Sequence, residues 1–340
     1  MSASEAPLAA ILGCSGPRLT RDERALFADA RPLGFILFRR NIKSPAQVAD
    51  LVAEMRAVAG RPDACVLIDQ EGGRVRRLGP PHWRAAPPQG VFVPVYDRDP
   101  AAGREAVWLN ARLIAHELAA LGIDVDCMPL LDVADPEGHD IIGDRAYGSD
   151  PAVVADLGRV CADALLAGGV LPVIKHLPGH GRARADSHVR LPVVDTGRDR
   201  LDAVDFAPFR ALADAALGMT AHVVYSAIDP TVPATLSSVV VRDIIRTHMG
   251  FDGLLLTDDL SMKALNGAYA ERARRALDAG CDVVLHCNGK LSEMRAVVAG
   301  CRPLDAAGQA RLARARAALH PPAPFDPDAA RARLKDLIEA

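Results

Sequence analysis

The chain has 340 residues, half of them hydrophobic, with 40 Lys and Arg against 43 Asp and Glu and a formal charge of −3. That composition belongs to globular proteins rather than disordered or fibrous ones, and without a basic surplus it excludes a nucleic-acid binder that works by neutralising phosphates. Aromatic residues make up only 4%, too few for a broad platform on which bases or long polysaccharides stack.

Pro7 to Leu12 opens the chain as a short first strand. Ile11-Leu12-Gly13-Cys14 has a faint likeness to a lipoprotein cleavage site, but Glu5 stands where a Lys is needed and the first basic residue is Arg18. The expectation is therefore a cytoplasmic chain, with no stretch apolar and long enough to span a membrane. The short apolar runs, the first included, are Ala9–Leu12, Gly34–Phe38, Cys65–Ile68, Val125–Met128, Val173–Lys175, Gly218–Ala221, Leu254–Thr257 and Val283–His286. Amphipathic stretches lie between most of them. Ser44-Pro45 reads as an N-cap with Pro at the first helical position, ahead of a face made by Val48, Leu51, Val52 and Met55. Val107, Ala111, Ile114, Leu118 and Leu121 mark a second helix, and Ser261 to Ala279 a third.

Eight alternating strands and helices predict a parallel sheet closed as a (β/α)8 TIM-type barrel. An open doubly wound sheet is the runner-up, disfavoured because no G-x-G-x-x-G follows the first strand. The surplus length falls in Gly79–Asp99, in Gly179–Val194 and in a tail with helical patterns at Ala306–Leu319 and Asp328–Ile338. The expected organisation is a single catalytic domain over residues 1–340, with C-terminal helices from about residue 305. The seven cysteines are odd in number and contain no C-x-x-C pair, which disfavours a disulfide framework or zinc ribbon.

Chemistry in such a barrel sits where strands end. Those ends carry Asp69 and Glu71, then Arg77, Asp132, Arg145, Lys175-His176, His180, Asp186-Ser187-His188, His222, Asp258-Asp259 and His286. Acids and bases at the ends of apolar strands are costly to desolvate unless paired or used. Individual residues have structural readings. Asp259 can cap the following helix, His180 between two glycines can stabilise a turn, and Glu71 can brace Arg74 or Arg77. His176, His180, His188 and His222 could bind a metal, but their spacings match no metal motif and Lys175 would repel a cation. No metal and no cofactor are therefore expected. On an extended segment Asp186 and His188 face the same way, so the carboxylate can set the tautomer and charge of a proton-shuttling imidazole. Asp258 can act as a nucleophile, with Asp69, Arg77, Arg145 and Lys175 as a clamp for hydroxyls or a partly anionic ligand. Together these suggest glycoside hydrolysis.

The motifs Lys175-His176-Leu177-Pro178-Gly179-His180-Gly181, Asp186-Ser187-His188 and Thr257-Asp258-Asp259-Leu260-Ser261-Met262 closely resemble glycoside hydrolase family 3, in its bacterial β-N-acetylglucosaminidase branch of peptidoglycan recycling. Ile68 to Val75, Ala221 to Tyr225 and Leu277 to Asp282 extend the resemblance over most of the chain. It implies Asp258 as the nucleophile of a covalent glycosyl-enzyme, His188 as general acid/base and Asp186 as its dyad partner. It also implies Asp69, Arg77, Arg145, Lys175 and His176 as sugar-binding residues. The implied activity is retaining release of terminal β-linked N-acetylglucosamine from cell-wall fragments by a cytoplasmic monomer with a small-molecule substrate and neither nucleic acid nor membrane as partner. A phosphorylase and a non-catalytic sugar-binding barrel are the alternatives. Leu177 stands where the branch usually has Phe, Thr257 where Ser is commoner, and Arg182 and Arg184 add charge that reads best as solvated surface.

Overall fold

A computed structural model describes residues 6–187 and 189–340. Ten strands occur along the described chain: β1 (Leu8–Leu12), β2 (Pro32–Leu37), β3 (Cys65–Ile68), β4 (Val125–Asp126), β5 (Leu171–Leu177), β6 (Val193–Val194), β7 (Leu217–Thr220), β8 (Val224–Tyr225), β9 (Leu254–Asp259) and β10 (Val283–His286). Eight of them close a barrel in the order β1-β10-β9-β7-β5-β4-β3-β2, every neighbouring pair parallel, while β6 and β8 form a small separate pair. This is the (β/α)8 TIM-type fold the alternation predicts. Each expected strand is present, with ends shifted by a few residues. The strands are nearly continuous apolar runs because both faces are covered, by packed side chains inside and helices outside.

The helix over Pro45–Val58 starts as the sequence indicates: the Ser44 hydroxyl accepts from the Gln47 N–H, and Val48, Leu51, Val52 and Met55 are buried. The second helix runs Pro100–Ala119, and Val107, Ala111, Ile114 and Leu118 face the core. The third expected helix is corrected. It spans Tyr269–Ala279 only, and residues 261–268 form turns. Two causes are local. Ser261 bonds back to the Asp259 carboxylate through its N–H, and Gly267 takes φ +93°, a left-handed value that ends any continuous helix. Asp259 therefore caps a turn, not a helix.

The stretch 79–99 contains a 3₁₀ turn at Gln89–Phe92 and a short helix at Val93–Arg98. Beyond β10, helices at Leu291–Gly300, Ala306–Ala317 and Pro327–Glu339 complete the shell. The last packs on Pro100–Ala119: Ala330, Leu334 and Leu337 are buried, and Arg333 pairs with both carboxylate oxygens of Glu105 at 2.8 and 2.7 Å. All seven cysteines are unbridged and all but Cys301 are buried. Among the described residues no helix is long and apolar enough to cross a membrane.

Candidate active site

The C-terminal strand ends open into a cavity of about 230 Å³. Asp69, Arg77, Arg145, Lys175, His176 and Asp258 all line it, together with Glu71, His180, Ser187 and Asp259 and an apolar wall that includes Phe38, Met219, Met262 and Leu285. Of the eight residues singled out by sequence, six share this one space.

Strict strand alternation would send Lys175 and His176 to opposite faces. The β5–β7 ladder pairs Lys175 with Met219 and Leu177 with Thr220, so one extra residue, His176, bulges from β5. The bulge brings both side chains to the cavity. The β10–β9 ladder slips in the same manner between Val283–Leu256 and Leu285–Asp259, and the consecutive Asp258 and Asp259 both reach the cavity.

Lys175 is the hub of the cationic side. Its Nζ lies 2.9 Å from Asp69 Oδ1 and 2.6 Å from Glu71 Oε1. Arg145 donates to both oxygens of Glu71 at 2.8 Å, and Arg77 donates to Asp69 Oδ2 at 2.9 Å. Burial alone would raise the Asp69 and Glu71 carboxyls. The adjacent cations outweigh it, Lys175 and Arg77 for Asp69 and Arg145 and Lys175 for Glu71, and hold both below the usual carboxylate range. The same pairing, against burial, raises Lys175 and Arg145. Glu71 thus braces Arg145 and Lys175, which corrects the expectation of Arg74 or Arg77. Arg74 instead donates to the carbonyls of Asp140 and Ile142, and Arg77 serves Asp69.

Asp132, fully buried beyond β4, organises the next corner. It accepts from the backbone N–H groups of His176 and His180 at 3.2 and 2.6 Å, and its Oδ2 is 2.7 Å from His176 Nδ1. Burial would raise its pKa; the His176 imidazole outweighs this and brings it down to about 2. His180 both shapes the turn and lines the cavity, and burial, with His176 beside it, pushes its pKa down to about 4. Asp258, 8% exposed, accepts from the Asp259 N–H at 2.8 Å through Oδ1.

His188 lies outside the described residues. The expected same-side placement of Asp186 and His188 on an extended segment therefore lies outside them too; of its described neighbours, the Asp186 carbonyl accepts from the N–H groups of Val189 and Arg190 at 2.9 and 3.0 Å. Ser187 faces the cavity, and its carbonyl accepts from Ala264 N, tying this loop to the segment that follows Asp258. At the loop's root, Gly181 packs so closely that a Cβ would sit 1.7 Å from the Val133 carbonyl oxygen. Arg182 is no surface charge. It is largely buried between Asp135 and Asp205, 2.7 Å from the latter. Arg184 pairs with Glu137 in the open.

In the sequence Asp132 and Glu71 stand out at strand ends, but nothing there points to a task for Asp132 or to the true partners of Glu71. His222 stands out only as a strand-end residue and possible metal ligand. The signal for all three was position after a strand. Their partners come from other strands.

A closed parallel barrel whose C-terminal rim gathers a carboxylate at a strand end and a network of paired acids and bases is the architecture of a (β/α)8 enzyme. Residues 7–315 match the glycosyl hydrolase family 3 N terminal domain. The chain is 42% identical over 282 residues to the β-hexosaminidase of Alkalilimnicola ehrlichii, covering 82% of this chain and 80% of that protein. With the β-hexosaminidase of Thioalkalivibrio sulfidiphilus the figures are 41% over 309 residues, 89% and 87%. The crystal structure of NagZ from Neisseria gonorrhoeae in complex with N-trifluoroacetyl-D-glucosamine superposes with a TM-score of 0.88 at 34% identity, covering 98% of both chains. The chain belongs to glycosyl hydrolase family 3.

Proposed function

We propose that this glycoside hydrolase is a retaining exo-β-N-acetylglucosaminidase, with Asp258 as nucleophile, His188 as general acid/base and Asp186 as the partner of His188. Asp69, Arg77, Arg145, Lys175 and His176 hold the sugar. The observation that carries this assignment is the position of Asp258: a carboxylate at a barrel strand end, in one cavity with that entire polar set. In the first step an Asp258 oxygen forms a bond to the anomeric carbon as the glycosidic bond breaks, and the His188 imidazolium gives its proton to the departing oxygen. In the second, water attacks the same carbon, His188 takes its proton, and the Asp258 ester bond breaks with retention. The Asp186 carboxylate stabilises the imidazolium between the two events.

The paired state of the surrounding groups supports this division of labour. Asp69 and Glu71 are held ionised by Lys175, Arg77 and Arg145, so they fit hydrogen bonding better than proton transfer. The Asp132 contact fixes His176 at Nδ1 and leaves its Nε2 for a ligand hydroxyl. A cavity of about 230 Å³ suits one sugar ring and thus terminal cleavage. The N-acyl glucosamine in the Neisseria gonorrhoeae structure and the β-hexosaminidase relatives support N-acetylglucosamine as that ring. We extend the proposal to β-linked N-acetylglucosamine on peptidoglycan fragments in the cytoplasm, cleaved by a monomer whose residues 1–340 act as one catalytic domain.

The test is turnover of a nitrophenyl N-acetyl-β-glucosaminide by Asp258→Ala. The expected loss is at least about 10⁴-fold in kcat, the scale seen when a catalytic nucleophile is removed, with the melting temperature retained. Near-normal kcat would sink the assignment. Adding inorganic phosphate to the native enzyme separates hydrolysis from phosphorolysis: release of N-acetylglucosamine, with no sugar phosphate, is expected.

A further inference from the structure

We propose that His222 is a positioning residue which, as a neutral Nε2–H imidazole, holds the backbone behind the nucleophile through the carbonyl of Asp259. The inference rests on the assignment of Asp258 as nucleophile. His222 follows β7 and is fully buried. Its Nε2 lies 3.0 Å from the Asp259 carbonyl oxygen. A carbonyl only accepts, so Nε2 carries a hydrogen. Burial holds the imidazole below its ordinary pKa, so the ring carries a single proton and Nδ1 accepts. Nδ1 is 2.7 Å from the Thr235 hydroxyl, which therefore donates to it. The Thr235 oxygen is 2.8 Å from the Thr220 hydroxyl, which then donates in turn. The Ala221 carbonyl, 3.1 Å from Thr235, would take that hydrogen only if Nδ1 were protonated. Every proton in the chain Thr220–Thr235–His222–Asp259 thus has one direction.

The far end of this chain is the nucleophile. The Asp259 carbonyl accepts from His222 and from the Met262 N–H at 3.1 Å, which uses both of its lone pairs. The Asp259 carboxylate accepts from the N–H groups of Ser261 and Cys287 at 2.9 and 3.0 Å. With its carbonyl and its carboxylate both held, the Asp259 N–H points at Asp258 Oδ1 at 2.8 Å and orients that carboxylate. Attack on an anomeric carbon tolerates little misplacement of the attacking oxygen. Both ring nitrogens of His222 are committed to this frame, so neither is left for a metal or a substrate proton.

Two variants and one spectrum test the proposal. His222→Gln keeps an N–H donor at the Nε2 position, and His222→Met fills the space without one. On a nitrophenyl N-acetyl-β-glucosaminide, which needs little acid assistance, His222→Met should lose on the order of 10²-fold in kcat and His222→Gln about tenfold or less, the former being the cost typical of small misplacement. The inhibition constant of N-acetylglucosamine should stay unchanged in both. The imidazole nitrogen NMR spectrum of the native enzyme at neutral pH should show His222 as the Nε2–H tautomer, a readout that holds even if a variant fails to fold. Wild-type kcat in His222→Met, equal losses in the two folded variants, or an Nδ1–H or doubly protonated ring would overturn the proposal. If Asp258→Ala itself keeps its activity, the nucleophile assignment fails instead, and that outcome is separable because the tautomer is read without turnover.

Discussion

Two buried carboxyl groups, Glu71 and Asp126, show how differently one chemical group behaves at neighbouring strand ends. Glu71 is 1% exposed and carries the charges of Arg145 and Lys175 on its two oxygens. Glu71→Gln leaves two buried cations with one carboxylate, Asp69, between them, and removing one partner of such a set costs about 3 kcal/mol or more. Denaturant unfolding should show that loss, and KM should rise because Lys175 and Arg145 turn toward Asp69. Unchanged stability would mean the cluster is hydrated rather than paired. Asp126 is the opposite case. It is fully buried, Oδ1 accepts from the Gln70 N–H at 2.9 Å, and Oδ2 has no partner among the described residues. Burial pushes its carboxyl up to about 8. A folded pKa above the unfolded one means the folded state keeps a proton that the unfolded chain releases. This stabilisation is complete below the unfolded value of about 4 and fades as pH rises toward 8. Asp126→Asn should therefore match the native melting temperature at pH 5 and exceed it at pH 9 by about 2 °C or more. Parallel melting curves at the two pH values would contradict the assignment.

At the scale of elements, the loop that follows β5 and the strand end of β9 have to cooperate. The loop is tied at its root by the Arg182 pairs and by the contact that requires Gly181, and at its tip by the Ser187 carbonyl to Ala264 N–H bond. The glycines at 179 and 181 therefore serve close packing as well as the backbone freedom their residue type suggests. Gly179 takes φ +135° and would bring a Cβ to 3.1 Å of the Asp205 carbonyl oxygen. If His188 on this loop is the acid, its contribution grows with the basicity of the leaving group. His188→Ala should then lower kcat/KM for a natural-type disaccharide at least about tenfold more than for a nitrophenyl glycoside, as general-acid contributions of 10²–10⁴ allow. Asp186→Ala should show the same trend more weakly. Equal losses on both substrates would leave the loop a structural tie.

For the whole molecule, the balance of charge in the cavity bears on metal dependence. Three cationic side chains, Lys175, Arg77 and Arg145, occupy both oxygens of Asp69 and of Glu71. A divalent ion would have to displace them. Dialysis against a chelator should leave turnover unchanged, and restoration of a lost activity by zinc would overturn the acid–base assignment of His188.

The barrel was legible from the sequence alone because it rests on local rules. Apolar runs such as Leu254–Thr257 are too short for a helix and read as strands covered on both faces, and the Ser44-Pro45 start or the 107-111-114-118 spacing is written within a short stretch of chain. The members of the site were legible for a related reason: polar groups at the ends of apolar runs stand out against their neighbours. What stayed hidden depends on residues far apart in the chain. That Glu71 meets Arg145 and Lys175, that Asp132 anchors His176, and that Thr220 and Thr235 orient His222 follow from strands brought side by side by closure of the barrel. The third helix stops short of Ser261 because a carboxylate on the preceding strand captures that serine. The aim of Lys175-His176 and of Asp258-Asp259 was equally out of reach. Sequence periodicity assigns consecutive residues to opposite faces, whereas a bulge is a mismatch between two strands and exists only once they are paired.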